Sequence, residues 1–398
     1  MSIMTDALHR PSALHPFWSL GFRPFFLLAA VAAGLLLPAW GFYFAGDLGV
    51  PTRLAPPVWH GHEMLFGFTA AVIAGFLLTA VPNWTGIPAV RGGRLVALAA
   101  LWIAGRLAVY FGALLPAWLV AAIDVAFFPA LILAILPALV ASNNRRNFGF
   151  PVVLLVFALA NLAIHAAAMG YFPVIGAEIG IKAAVGLVTL LMIVIGGRVI
   201  PGFTANALGA PPRRPNWTDK AALYAAIAAL LLELLPQARL AQGVAAVAAA
   251  VLVALRMRGW QSLRTARHPI LWVLHVGYAW IAVGFAFKGL GLLTEMLRWQ
   301  DALHGLTAGA IGTLTLGMMS RVALGHTGRP LRVRPSITAA YILVTLATVI
   351  RLCTPFAAAL HPVQALTHVA GALWAAAFII YFAVYAPMLI APRADGKP

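Results

Sequence analysis

The chain has 398 residues, 63% of them hydrophobic and only 9% charged. Soluble domains carry about 25% charged residues, so this composition excludes a water-soluble globular protein. The apolar runs are long and unbroken rather than alternating, which favours an all-α, polytopic membrane helix bundle over a β-barrel. The formal net charge of +17 is spread over short loops, which argues for a lipid bilayer as partner and against nucleic acid.

In chain order, residues 1–21 lack the apolar core and small-residue cleavage site of a signal peptide and are expected to form a cytoplasmic N-terminal segment. Twelve apolar segments follow, each long enough to cross ~30 Å of hydrocarbon. They cover about 22–44, 62–82, 94–114, 117–141, 149–170, 177–200, 219–236, 239–257, 270–296, 302–324, 336–358 and 363–391, before a tail at 392–398. The stretch "LLPQAR" leaves little room to turn between the seventh and eighth. The loops on one side receive Arg10, Arg91, Arg94, Arg145, Arg146, Arg213, Arg214, Lys220, the arginines from Arg256 to Arg267, Arg329, Arg332, Arg334, Arg393 and Lys397. Those on the other side receive Arg53, Arg239 and Arg298. Basic loops stay cytoplasmic, so both termini are expected there. No linker or composition shift divides the chain, and residues 1–398 read as one integral membrane domain. Cys353 is the sole cysteine, so any haem would be held without thioether links.

Two segments align without gaps: His62–Gly86 and His304–Gly328 both begin with histidine and end in Thr-Gly, and Gly67 and Gly75 match Gly309 and Gly317. A third, Ile181–Thr204, keeps Gly186, Arg198 and Thr204 in register with Gly309, Arg321 and Thr327. These are the second, sixth and tenth segments, a spacing that fits three units of four helices. Small residues let membrane helices approach closely, which marks these three for the packed centre.

A titratable group inside a bilayer is expensive, so each one present needs a partner or a function. Towards the extracytoplasmic side lie His60, His62 and Glu63 at the head of the second segment, His165 late in the fifth, Glu178 and Lys182, Lys288, His304 and His368. Towards the cytoplasmic side lie Arg198, His275, Arg321 and His326, with Arg106 and Asp124 deeper. Residues i and i+2 of a helix point about 200° apart. His60 and His62 therefore either serve two sites or converge through a break at Gly61. A helix N-terminus disfavours imidazolium and keeps the nitrogen lone pair available at His62, His304 and His275. Neutral imidazole is what copper and haem iron require. His60, His62 and His304, with His165 as a further ligand, make one candidate metal site. Glu63 would orient an imidazole or relay protons. His275 and His326 would serve a second centre, with Arg198 and Arg321 suited to carboxylates or phosphates.

The stretches "FRPFF" (22–26), "WHGHEMLFGFTAAVIAGFLLTAVPNWTG" (59–86), "GGRVIPGFTAN" (196–206), "LHVGYAW" (274–280) and "HGLTAGAIGTLTLGMMSRVALGHTGR" (304–329) resemble the NnrS family across nearly the entire chain. The family's motifs fall on His60, His62, Glu63, His165, Arg198, His275, His304, Arg321 and His326; Gly61 stands where alanine is expected. The resemblance implies a twelve-helix protein of the bacterial inner membrane that contains non-covalent haem b and copper. It also implies a role in nitric oxide metabolism, in the setting of nitrosative stress and denitrification. A membrane oxidoreductase that binds and reduces or detoxifies nitric oxide, with electrons from a quinol or another donor, is the favoured expectation. The alternatives are a transporter of a metal, haem or nitrogen-oxide species, which twelve helices with embedded charge also suit, and a non-catalytic nitric oxide sensor.

Overall fold

With no water in the hydrocarbon to take up peptide groups, each apolar segment closes its own backbone hydrogen bonds and becomes a helix. The structure, a computed structural model, describes residues 15–173, 175–209, 216–235, 237–357 and 362–396. His9 and His361 lie outside them. Eleven long apolar helices are candidate membrane spans: α1 (Phe22–Ala45), α2 (Pro56–Thr85), α3 (Gly93–Tyr110), α4 (Ala117–Ala141), α5 (Arg145–Ala168), α6 (Ile175–Leu208), α8 (Arg239–Met257), α9 (Pro269–Thr294), α10 (Trp299–His326), α11 (Pro335–Ala357) and α12 (Val363–Ile390). The twelfth, α7 (Asn216–Leu232), has 17 residues and carries Asp219 and Lys220 in its first turns, which leaves it short of a full apolar span. No strand occurs among the described residues.

Burial is unequal. In its most apolar window α2 is 78% buried and α10 67%, whereas α6 is 50%, no more than several outer helices. The centre is therefore α2 and α10. The sequence pattern expected α6 there too, but Ile179 and Val194 on that helix are exposed and face outward. The lipid-facing surface is formed by side chains such as Leu35, Leu133, Leu159, Leu240 and Ile379.

Helices α2, α6 and α10 each contain a π-helical turn, at Glu63–Thr69, Met192–Gly196 and Leu306–Ile311. Such turns widen the spiral and free carbonyls from the regular ladder, and they are frequent at functional sites. In all three a carbonyl of the turn accepts from a neighbouring helix. Trp102 Nε1 donates to Gly67 at 3.1 Å, Arg256 Nη1 to Ile193 at 2.7 Å, and Trp374 Nε1 to Ala308 at 3.2 Å. In the alignment of His62 with His304 the turns of α2 and α10 fall at the same register; that of α6 lies further along.

Helix α9 reaches α10 through a glycine contact. A Cβ on Gly305 would stand 2.6 Å from Gly284 Cα, and one on Gly284 would stand 2.7 Å from the backbone nitrogen of Leu306. Both obstacles are backbone and cannot swing aside. Gly284→Ala should cost about 1–3 kcal/mol, the usual penalty of overpacking, and lower the thermal midpoint of the detergent-purified protein. Gly202→Ala, where nothing lies within 4 Å, should leave that midpoint unchanged.

Candidate metal centre and adjoining cavity

The head of α2 runs as regular helix from Pro56 to His62, so His60 and His62 leave it on different sides. His62 turns towards α4 and α5. Its Nε2 lies 3.0 Å from Asp124 Oδ2 and 2.9 Å from Asn161 Oδ1, and its Nδ1 lies 3.0 Å from Glu63 Oε1. His165 Nε2 lies 2.9 Å from the same Asp124 Oδ2, and Asn161 Nδ2 donates to it at 2.8 Å. Asn161 and His165 share a face of α5 because they are four residues apart.

All these groups are buried, and two carboxylates so placed need a counter-charge. Arg106 of α3 supplies it: Nη1 donates to Glu63 Oε1 at 2.7 Å and Nη2 donates to Asp124 Oδ1. The guanidinium fork thus engages the outer oxygen of Asp124 and leaves Oδ2 turned to the two imidazoles. Glu63 Oε2 is buried without a hydrogen-bond partner.

Both nitrogens of His62 face acceptors, so a proton or a metal ion must stand in each direction. The ligand atoms offered by His62, Asp124 and His165 all lie within 4.8 Å of one another, and the three can hold a metal ion. Donors around a tetrahedral ion with bonds of about 2.0 Å stand ~3.3 Å apart, only a few tenths more than the 2.9 and 3.0 Å found here. Two imidazoles and one carboxylate suit zinc, copper, nickel or iron rather than magnesium or calcium. His165, 4% exposed, also borders a cavity of about 20 Å³ shared with Arg53 and Met169. That volume admits roughly one water.

His60 turns the other way, towards α1 and α10. Its ring lies 4.2 Å from that of Trp40 and 6.4 Å from that of His304, centre to centre. His304 Nδ1 donates to the carbonyl of Gln300 at 2.7 Å. The pair borders a cavity of about 350 Å³ between α1, α2, α10, α11 and α12. Asp301 and Arg351, paired at 3.0 Å, stand on its wall.

The candidates His60, His62, His165 and His304 therefore separate into His62 with His165 and His60 with His304. His275 and His326 are not brought together. Thr204 uses its hydroxyl proton on Ile200, so it accepts from His275 Nε2 at 2.8 Å, and Ser262 then donates to Nδ1 at 2.8 Å. Neither nitrogen of His275 is left free. His326 packs on Phe22 instead, with ring centres 5.6 Å apart. Arg321 lies over the Phe203 ring at 3.8 Å, and Arg198 is exposed. Elsewhere Lys288 pairs with Glu233, Lys182 pairs with Glu178 at 2.5 Å, and His368 contacts the Gly41 carbonyl at 3.2 Å. Reading the sequence for ligands missed Asn161, Trp40 and Arg351. The spacing of Asn161 four residues before His165 was the one signal that pointed to any of them.

A polytopic α-helical membrane protein with a buried histidine–carboxylate cluster able to hold a metal ion is the class these features define. The chain belongs to the NnrS family: residues 16–393 match the family described as "NnrS protein". Comparison with curated proteins gives no significant match.

Removing Arg106 would leave two buried carboxylates facing each other. Breaking a buried ion pair from one side costs about 3–5 kcal/mol, so Arg106→Ala should unfold at markedly lower temperature or denaturant in detergent. Adding Asp124→Ala to that variant should recover part of the loss, giving a double-mutant coupling well above 1 kcal/mol.

Proposed function

We propose that this member of the NnrS family is a metal-dependent membrane oxidoreductase that binds nitric oxide and reduces or otherwise detoxifies it. Electrons would come from a membrane quinol or another donor, and haem b and copper would be the resident groups. The observation that supports this most is the His62–Asp124–His165 cluster, a nitrogen-rich donor set enclosed in lipid-embedded protein. A bare ion would suit the cluster, because the ligand atoms of its three residues all lie within 4.8 Å of one another. Of the two implied groups, copper is the one this small cluster suits. When bound it would supply Lewis acidity and one-electron chemistry.

The protein's own part is geometric and electrostatic. Arg106 neutralises Glu63 and Asp124 and fixes the orientation of both carboxylates. Glu63 holds His62 Nδ1, which sets the direction of Nε2 in the manner of the outer partners of metal-bound histidines. Asn161 anchors Asp124 Oδ2 through its amide. The apolar bundle excludes bulk water while admitting a small apolar gas from the bilayer. In the proposed orientation the basic loops are cytoplasmic, which puts this cluster in the outer half of the inner membrane.

Protein purified without chelators should retain about one ion per chain at this cluster after dialysis, by metal analysis. His62→Ala, Asp124→Asn and His165→Ala should each lower that content at least tenfold and abolish nitric oxide consumption in the presence of a reductant. Wild-type protein that keeps its metal yet consumes no nitric oxide would make it a binding protein or sensor. Metal lost on dialysis but counter-transported in vesicles would make it a transporter.

A further inference from the structure

The His62–Asp124–His165 cluster is closed on nearly every side. His62 is 0%, Asp124 1% and His165 4% exposed, and Glu63, Arg106 and Asn161 pack around them. A metal site needs an entry path as well as ligands, and a bare cation does not come through hydrocarbon. His165 is the member that leads outward. Its Nε2 lies 2.9 Å from Asp124 Oδ2, and the same residue borders the cavity of about 20 Å³, room for roughly one water. The cavity lies where the loop before α2, the end of α3, the start of α4 and the end of α5 meet, and its rim includes the exposed residues Arg53 and Ala168. It therefore stands between the outer surface and the cluster, at the end of the bundle that is extracytoplasmic in the proposed orientation.

Its roof is tied shut. Arg53 Nε donates to the carbonyl of Gly112 at 2.9 Å and Nη2 to that of Leu115 at 2.8 Å, while the backbone nitrogen of Ala113 donates to the Pro51 carbonyl at 2.8 Å. The loop before α2 is thus strapped across the loop that joins α3 to α4. Both segments lie outside the long helices, in the part of a fold that opens locally at least cost. The guanidinium also sets the charge at the mouth. Among the described residues Arg239 and Arg298, the other two basic residues expected on this side, pair with Glu295 and Asp301. Arg53 engages carbonyls instead, which leaves a positive charge over a route for a cation and raises the barrier to entry and exit alike. A chance packing void would account for the space but not for a forked arginine spent on closing it.

We infer that this cavity is the portal through which a transition-metal cation reaches the His62–Asp124–His165 cluster from outside, and that the Arg53 clasp is its lid. The inference rests on the proposed reading of that cluster as an ion site. Arg53 acts as a positioning residue: it binds neither the ion nor a ligand of the ion, and it holds two loops in the closed arrangement. Opening asks only that the guanidinium release Gly112 and Leu115; no helix has to move. Closed, the lid makes release of the ion slow without any change in the ligands themselves, so retention becomes a matter of rate as well as of affinity.

The test loads full-length protein in detergent with zinc and follows its release into excess chelator by metal analysis. Arg53→Ala and Arg53→Lys should each release zinc about tenfold faster than wild type or more, the scale of losing ordinary hydrogen bonds from the closed state, with the same zinc content at saturation. Lysine keeps the charge but cannot bridge both carbonyls. Gly284→Ala, destabilised away from the portal, should release zinc at the wild-type rate; equal acceleration there would reduce the Arg53 effect to general loosening and overturn the inference. A second readout needs no ion. Val120 lines the cavity and is 5% exposed, so in a Cys353→Ser background Val120→Cys should react slowly with a small charged thiol reagent, and about tenfold faster once Arg53→Ala is added. Zinc that binds wild type but leaves at an unchanged rate from Arg53→Ala, with unchanged thiol labelling, would overturn the portal alone. Wild type that binds no zinc, with labelling still governed by Arg53, would overturn the reading of the cluster as an ion site and leave the lid standing.

Discussion

Inside a bilayer a carboxylate survives only beside a cation, and the site depends on one such pairing: the Arg106 fork that bridges Glu63 and Asp124. The attraction of unlike charges is strong where the surroundings are apolar, but so is the penalty of taking them out of water. A bidentate guanidinium meets both demands, since its planar donors satisfy two acceptors in fixed directions. Because Arg106 comes from α3, Glu63 from α2 and Asp124 from α4, the same contact ties three helices together. It also decides which oxygen of Asp124 is left for His62 and His165. Order in the His62–Asp124–His165 cluster is thus inherited from a guanidinium that is not itself a member of it.

The second organising feature is α2. It is the most buried helix of the bundle, and its two histidines open on different neighbourhoods. His62 meets α4 and α5 in a tight, water-poor knot; His60 meets α1 and α10 at a roomy cavity. A single turn of helix therefore faces two environments of different capacity, a close-packed histidine–carboxylate cluster and a cavity of about 350 Å³.

The membrane class and the helices were legible in the sequence because hydropathy and length act locally and additively. His60, His62, Glu63, His165 and His304 could be singled out in the same way, since titratable groups stand out against apolar surroundings. Partnership was not legible. Whether His62 pairs with His304 or with His165 depends on helix order in space, which no spacing along the chain encodes. Asp124 and Arg106 could be noticed only as isolated charges, eighteen residues apart on separate helices. Asn161 carries no charge and drew no notice. For His275, two hydroxyls three-dimensionally adjacent but remote in sequence consume both nitrogens, and nothing in "LHVGYAW" announces them. The place of α6 was overread for a related reason: glycine spacing reports that a helix can be approached closely, not from how many sides.

The π turn of α2 begins at Glu63, directly after the two histidines, and that of α10 begins two residues beyond His304. Each residue of a helix advances it by about 100°. An extra residue accommodated in a wider turn therefore rotates everything before it relative to the packed half that follows. The histidine-bearing heads of these two central helices are in this sense separately indexed from their bodies, like dials set on fixed shafts. Such a device lets a lineage re-aim the imidazoles by inserting or deleting one residue, while the glycine-lined seams further along stay in register.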